Sequence, residues 1–403
     1  MSSNRGRRPA WRDDRVWQAG FLVGSALGAA ATVLGRRAER VARTGLVDWP
    51  AAERFAVDRL KGAPGALTSD ELRASEPAYA AAMERIVPRL SETLGTELPG
   101  VVERSAVVDR AGWVHANVAT FAALIGQLEH ELLDQVIPTG SGLAKAAMAL
   151  ANRWVTTRQL GFLLGFMGSK VLGQYDLALL TAEATPGKLL FVEENIRQTA
   201  AILDVPLDPF RTWIALHETT HAFEFEAHPW LRPYLAERLE RQLSLFGKEA
   251  SGLGREALRS LGRAIRGDGD GAEHWIERLM SEEQRQLFRE TQAVMSLLEG
   301  FSDYIMDEVG RDLVPGVERI SAKFHERRNA RRSPFERAVM RLTGMDVKLE
   351  QYRKGEAFVA AIAADGGPAA LNRLWAGPEM LPRHGEIDEP ARWLARTGSV
   401  EAS

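Results

Sequence analysis

Five consecutive residues constrain this chain more than anything else in it: His217-Glu218-Thr219-Thr220-His221, an H-E-x-x-H within RTWIALHETTHAFEF at residues 211–225. With 8 histidines in 403 residues, about 0.01 such matches are expected by chance. On an α-helix, side chains at i and i+4 stand one above the other on the same face, so His217 and His221 can share one metal ion. Glu218 projects about 100° round the helix from His217, which sets its carboxylate beside a metal-bound water rather than on the metal. It is the candidate general base. The flanking Ile214, Ala215, Leu216, Thr219, Thr220, Ala222 and Phe223 bring neither charge nor proline, so the chain can bury this helix beneath a cleft.

The sequence has no cysteine. That excludes thiolate zinc sites, iron–sulfur clusters and cysteine nucleophiles, and leaves His, Asp and Glu as the metal ligands. A catalytic Zn2+ needs a third protein ligand and an open position. Downstream, SLLEGFSDYIMDEV at residues 296–309 reads as a helix with Glu299 and Asp303 at i and i+4 on one face. This E-x-x-x-D resembles the second helix of thermolysin-like enzymes, and the resemblance implies Glu299 as third ligand and Asp303 as the partner that fixes the tautomer of His217. His228 follows His221 by seven residues and precedes Pro229; the metzincin pattern needs a histidine six residues on, after a glycine, so His228 is not taken as a ligand. His325, Tyr304 and Tyr352 are candidates to stabilise a developing oxyanion, and no spacing singles one out.

The rest of the chain predicts a mainly α fold, with long helical patterns at 70–94, 114–136 and 142–166. One exception is 177–192, where LALL and KLLFV flank Pro186-Gly187 and read as a small hairpin or pair of short strands. Residues 248–273 read as a loop. Arg327, Arg328, Arg331 and Arg332 read as a solvated helix face.

Residues 1–44 carry nine arginines against three acids, a balance of +6, which leaves −9 on the body. An acidic body argues against nucleic acid as a partner. Two units follow: a basic extension, 1–44, and a catalytic domain, 45–403. Within the extension, residues 17–35 are nineteen uncharged residues between arginines, with three open readings: a membrane anchor, a cleaved signal peptide, or a helix packed on the protein itself. The corresponding location is the cytoplasm or the cytoplasmic face of a membrane.

From residue 46 to 362 the chain resembles a zincin-like metallopeptidase family of uncharacterised hydrolases, sometimes labelled as associated with biosynthesis of a deazaflavin coenzyme. The resemblance rests on Gly112-Trp113-Val114 with Asn117, Val171 to Asp176, Leu190-Phe191-Val192 and Asn195-Ile196. It continues through the metal helix, Pro229 to Pro233, Glu299 to Asp303, and Lys348, Gln351, Tyr352, Gly355 and Phe358. It implies zinc-dependent hydrolysis of a peptide or amide bond, with Glu218 taking the proton of the attacking water. The strand at residues 189–192 offers an edge on which an extended substrate could pair. The competing reading is a zincin scaffold that binds without turning over, tethered through its N-terminal helix.

Overall fold

The computed structural model describes residues 45–136, 143–175, 187–242, 244–245, 281–329, 348–383 and 385–398. The segment 17–35, the LALL run, the 248–273 loop and most of the arginine cluster lie outside the described residues. Among those described, no helix is long and apolar enough to cross a membrane.

The architecture is helical with one small sheet. Helices α1 (Trp49–Leu60) and α2 (Ser69–Leu94) precede β1 (Ser105–Val108), α3 (Arg110–Val136) and α4 (Leu143–Gly168). Strands β2 (Gly173–Tyr175) and β3 (Leu189–Val192) then lead into α5 (Glu193–Leu203) and α6 (Leu207–Ala227). After a further helical stretch at 231–242 come α7 (Glu282–Leu313), α8 (Val317–Asn329), α9 (Lys348–Leu374) and α10 (Pro390–Gly398).

Local chemistry accounts for the helix boundaries. Capping boxes start the two long helices that flank α6: Thr68 with Glu71 on α2, and Ser281 with Gln284 on α7. In each, the hydroxyl takes the N3 amide while the N3 side chain takes the cap amide, so two otherwise unpaired donors are satisfied. Gly95 closes α2 in the left-handed conformation, φ 66°, where a side chain would be strained.

The sheet order is β1-β3-β2, with β1 parallel and β2 antiparallel to β3. Every residue of β3 is buried, as a continuous LLFV run with neighbours on both edges requires. Of the expected strand pair, KLLFV forms β3, whose antiparallel partner is Gly173–Tyr175, upstream of the LALL run, which lies outside the described residues. One expectation is corrected: β3 is the central strand with both edges paired, so it offers no edge to a substrate, and β2 is the edge strand on the α6 side. The reading at sequence level also passed over β1, whose Ser-Ala-Val-Val is too short to show an alternation.

The main core gathers α2, α6, α7, α9 and the buried side of the sheet, from Met83 and Ile86 through Phe191, Ile214, Leu216 and Phe223 to Leu297, Ile305 and Phe358. A smaller cluster between α1, α3 and α4 holds Ala56, Leu60, Trp113, Val114 and Leu164. At the crossing of α7 and α9 a Cβ on Gly300 would collide with the Gly355 backbone, and one on Gly355 with Ser296. Only two glycines let these helices approach so closely, and the crossing fixes the residue next to Gly300, which is Glu299.

Candidate metal centre

Helix α6 runs through the core with most of its length buried. Its two central threonines are fully buried, and each satisfies its hydroxyl by back-bonding: Thr219 to the Ala215 carbonyl at 2.6 Å and Thr220 to Leu216 at 2.9 Å. Polar residues are thus tolerated inside the core without an unpaired donor. At its N-terminal end, Arg211 binds Asp208 and the buried Glu193, which also accepts the Tyr79 hydroxyl at 2.7 Å. Between residues 210 and 225 only His217 and His221 are partly open.

His217, His221 and Glu299 each offer a ligand atom within 4.8 Å of the others. His217 Nε2 lies 3.9 Å from Glu299 Oε2, and the two rings stand edge to face with centroids 4.7 Å apart. Tetrahedral zinc holds its ligand atoms roughly 3.4 Å from one another, so small rotations of these side chains suffice to close on one ion.

The ring atoms facing away from Glu299 have different partners. His221 Nδ1 lies 2.6 Å from Glu224 Oε2, with Ser302 Oγ at 3.3 Å. A carboxylate only accepts, so the ring donates from Nδ1 and keeps the Nε2 lone pair for a metal. His217 Nδ1 lies 3.0 Å from the Met306 sulfur, a weak acceptor that favours the same tautomer. Asp303 is buried on α7 one turn after Glu299; a further carboxylate, Glu224, three residues after His221, lies on the His221 imidazole. The motif reading missed it. Its signal was a charged residue in the apolar run Ala222-Phe223-Glu224-Phe225, where only a buried partner can hold it.

Glu218 stands beside this group. Tyr175 donates its backbone N–H to Glu218 Oε2 at 3.0 Å, and a Cβ on Gly173 would come within 2.6 Å of the Glu218 side chain. Strand β2 therefore lies directly against the candidate base, and glycine leaves room for it. The strand is held from both ends. Gln174 accepts from Trp113 Nε1 at 2.6 Å and donates to Asn117 at 2.7 Å, while Asn195 binds the carbonyls of Gly168 and Val171. The Tyr175 hydroxyl donates to Glu226 at 2.8 Å and accepts from Arg232 at 2.6 Å, and Arg104 grips both oxygens of Glu226. Trp113, Asn117, Gln174, Tyr175, Asn195 and Arg232, all residues of the resemblance, thus help to hold the strand that lies against Glu218.

Electrostatics describe a centre short of positive charge. Burial pushes the Glu218 carboxyl up to about 7, and neighbouring Glu299 adds to this, whereas His221 and the Tyr175 N–H oppose it. Glu224 is likewise pushed up to about 7 by burial, against the pull of His221. For His221 burial disfavours the charged ring, yet Glu224, Glu299 and Glu218 outweigh it and push the ring up to about 10. Carboxylates beside two imidazoles favour a cation at this point. A divalent ion fits both the charge and the donor set, since two imidazoles and a carboxylate suit Zn2+.

Two of the three oxyanion candidates can be placed. Tyr304 sits five residues after Glu299, about 140° round α7, and lines a cavity behind the metal face. His325 lies on α8 and offsets part of the burial that raises the Asp307 carboxyl, two turns past Glu299. The side chain of Tyr352 falls outside the described residues. His228 closes α6 and stacks on Trp375 with centroids 5.8 Å apart.

Comparison with known proteins agrees with this geometry. No curated protein matches the chain. A crystal structure from Chloroflexus aurantiacus, described as "a putative hydrolase with a novel fold", is similar over 87% of this chain and 99% of that one, with 33% identity and a TM-score of 0.64. A profile described as zincin-like metallopeptidase matches residues 47–394. With the H-E-x-x-H helix and Glu299 gathered at one point, the chain belongs to the zincin-like metallopeptidase family.

Proposed function

We propose that the protein is a zinc-dependent hydrolase of peptide or amide bonds, with His217, His221 and Glu299 as the metal ligands and Glu218 as the general base. The observation that carries this reading is the convergence of three ligand atoms within 4.8 Å beside a buried carboxylate pushed up to about 7. A structural site closes its coordination with protein ligands and needs no base next to it.

When bound, Zn2+ supplies Lewis acidity toward the carbonyl and the attacking water. The protein's own groups do the rest. Glu218 takes the proton of the attacking water and returns it to the leaving amine, and the Tyr175 N–H keeps the carboxylate aimed while it does so. Glu224 and Met306 hold the two imidazoles in the tautomer that presents Nε2. Strand β2 lies at the edge of the described sheet against Glu218, which supports an extended peptide as substrate, laid along that edge by backbone hydrogen bonds. The expected partner is thus a peptide or a small amide, and the acidic body gives no support to nucleic acid. A membrane tether through residues 17–35 is a separate proposal, tested by fractionating the full chain against one that starts near residue 45.

The test of function is turnover of a library of blocked peptides by the zinc-loaded protein, followed by chelation. We expect cleavage that a chelator abolishes and added zinc restores. Cleavage that survives complete removal of metal would refute the proposal.

A further inference from the structure

Five large apolar side chains stand exposed among the described residues, and four of them lie on α4: Met148, Leu150, Trp154 and Val155. Trp154 is 62% exposed and Met148 52%. Single exposed apolar residues are ordinary, whereas a cluster marks a surface that meets something. At 100° per residue the four fall within an arc of about 160° on one side of the helix. Farther along α4 that side is covered by α1, so closely that a Cβ on Gly161 would come within 2.6 Å of the Ala52 carbonyl and one on Gly165 within 3.2 Å of the Ala56 carbonyl. Upstream of α1 the chain keeps to α4. Asp48 donates its backbone N–H to the Thr157 hydroxyl at 2.9 Å, and Arg153 donates to the Gly45 carbonyl at 2.7 Å. The described cover ends there, at the residue before Trp154.

Charge selects what meets this face. Helix α4 carries Lys145, Arg153 and Arg158 and no acidic residue. Arg158 lies over the rings of Phe55 and Trp154, at 4.6 and 5.5 Å from their centres, and Arg59 lies over Phe162 at 4.5 Å. Both acids of α1 are engaged elsewhere, Glu53 with His115 and Asp58 with Lys61. A second copy laid on this face would gather like charges. So would residues 1–44, whose balance is +6. An anionic lipid surface suits both the face and the extension that joins the body beside it. Trp rings settle at headgroup level, arginines keep their stems among apolar groups with the charge at the phosphates, and basic residues strengthen attachment to anionic headgroups.

We propose that the 148–158 face of α4 rests on the surface of an anionic phospholipid bilayer, with Met148, Trp154 and Val155 among the upper acyl chains and Arg158 at the phosphates. The contact belongs to the body itself, so it holds whether or not residues 17–35 insert and whether or not the metal site turns over a substrate.

Because the sequence has no cysteine, one spin label can be placed in the full chain through Met148→Cys, Val155→Cys or, away from this run, Ile202→Cys on α5. Vesicles of phosphatidylglycerol and phosphatidylcholine in about equal parts are added, and electron paramagnetic resonance compares collisions with oxygen, which concentrates in lipid, and with a water-soluble nickel chelate. Labels at 148 and 155 are expected to lose access to the chelate and gain access to oxygen, while the label at 202 keeps its access to both. On phosphatidylcholine alone the shielding should weaken about fivefold or more. Equal shielding there would overturn the anionic assignment. Chelate access at 148 and 155 that lipid leaves unchanged overturns the proposal: if the protein still sediments with the vesicles the tether through residues 17–35 stands, and if it does not, both fall. Labels already shielded before lipid is added would show that residues 1–44 or a second copy covers the face, and that result, like equal shielding at 202, also overturns it.

Discussion

Glu218 and Glu224 lie on one helix, both are buried, both are pushed up to about 7, and both feel the charge of His221. Their partners differ. Glu218 receives one backbone N–H from an edge strand and is otherwise free to exchange a proton beside the metal face. Glu224 is bound to the imidazole itself, on the other flank, with its side chain fully buried. Residue type, burial and acidity alone therefore do not assign a role. In the proposed function the hydrogen-bond partner does, with one carboxylate as base and the other as clamp.

The largest effect expected from this contrast is on turnover. Glu218→Gln preserves shape and zinc but cannot accept a proton, so the peptide cleavage rate should fall by about two to four orders of magnitude with zinc content unchanged. Steady-state kinetics alongside elemental analysis reads both. If Glu224→Gln gave the same pattern, the distinction between base and clamp would collapse.

Gly173→Ala attacks the same flank through the strand. Its new methyl would meet the Glu218 side chain and move the carboxylate by a fraction of an ångström to an ångström, a displacement that costs up to about a hundredfold in rate. Zinc affinity should stay near that of the parent protein. A matching loss of zinc would show that β2 supports the ligands rather than the base.

On the opposite flank the effect is on the metal. Glu224→Gln should weaken zinc binding about 10- to 100-fold, measured by competition with a chromophoric chelator, and turnover should return when zinc is raised to saturation. Met306→Leu is the gentlest probe. Its sulfur is a weak acceptor for His217, so a loss of about two- to fivefold in zinc affinity is expected. A larger loss than that of Glu224→Gln would reverse the order of the two imidazole partners.

The metal helix was legible because its chemistry is local: the i, i+4 spacing of His217 and His221 and the uncharged flanks stand in one short run of sequence. The long helices were legible for the same reason, through periodic apolar residues, with ends displaced by only a few residues at α3 and α4. What escaped depends on distance along the chain. Glu299 was reached through a resemblance, and its position is set by a glycine crossing with α9 that no local pattern announces. The clamp on His221 was missed because Glu224 lies outside the motif and its meaning appears only when the ring turns toward it. The placement of β2 against Glu218 rests on Trp113, Asn117, Gln174 and Asn195, four residues from three separate segments. The strand at 189–192 was legible as β structure, but neighbours on both sides make it the buried centre of the sheet and not its edge.

The central claim is that His217, His221 and Glu299 form one metal site. It is tested most directly by zinc titration of the metal-free protein, with X-ray absorption at the zinc edge, in the parent chain and in Glu299→Ala. The account predicts one zinc per chain, bound through two imidazole nitrogens and a carboxylate oxygen at about 2.0–2.2 Å, with affinity lost in the variant. A zinc site without imidazole ligands, or one that Glu299→Ala leaves intact, would contradict it.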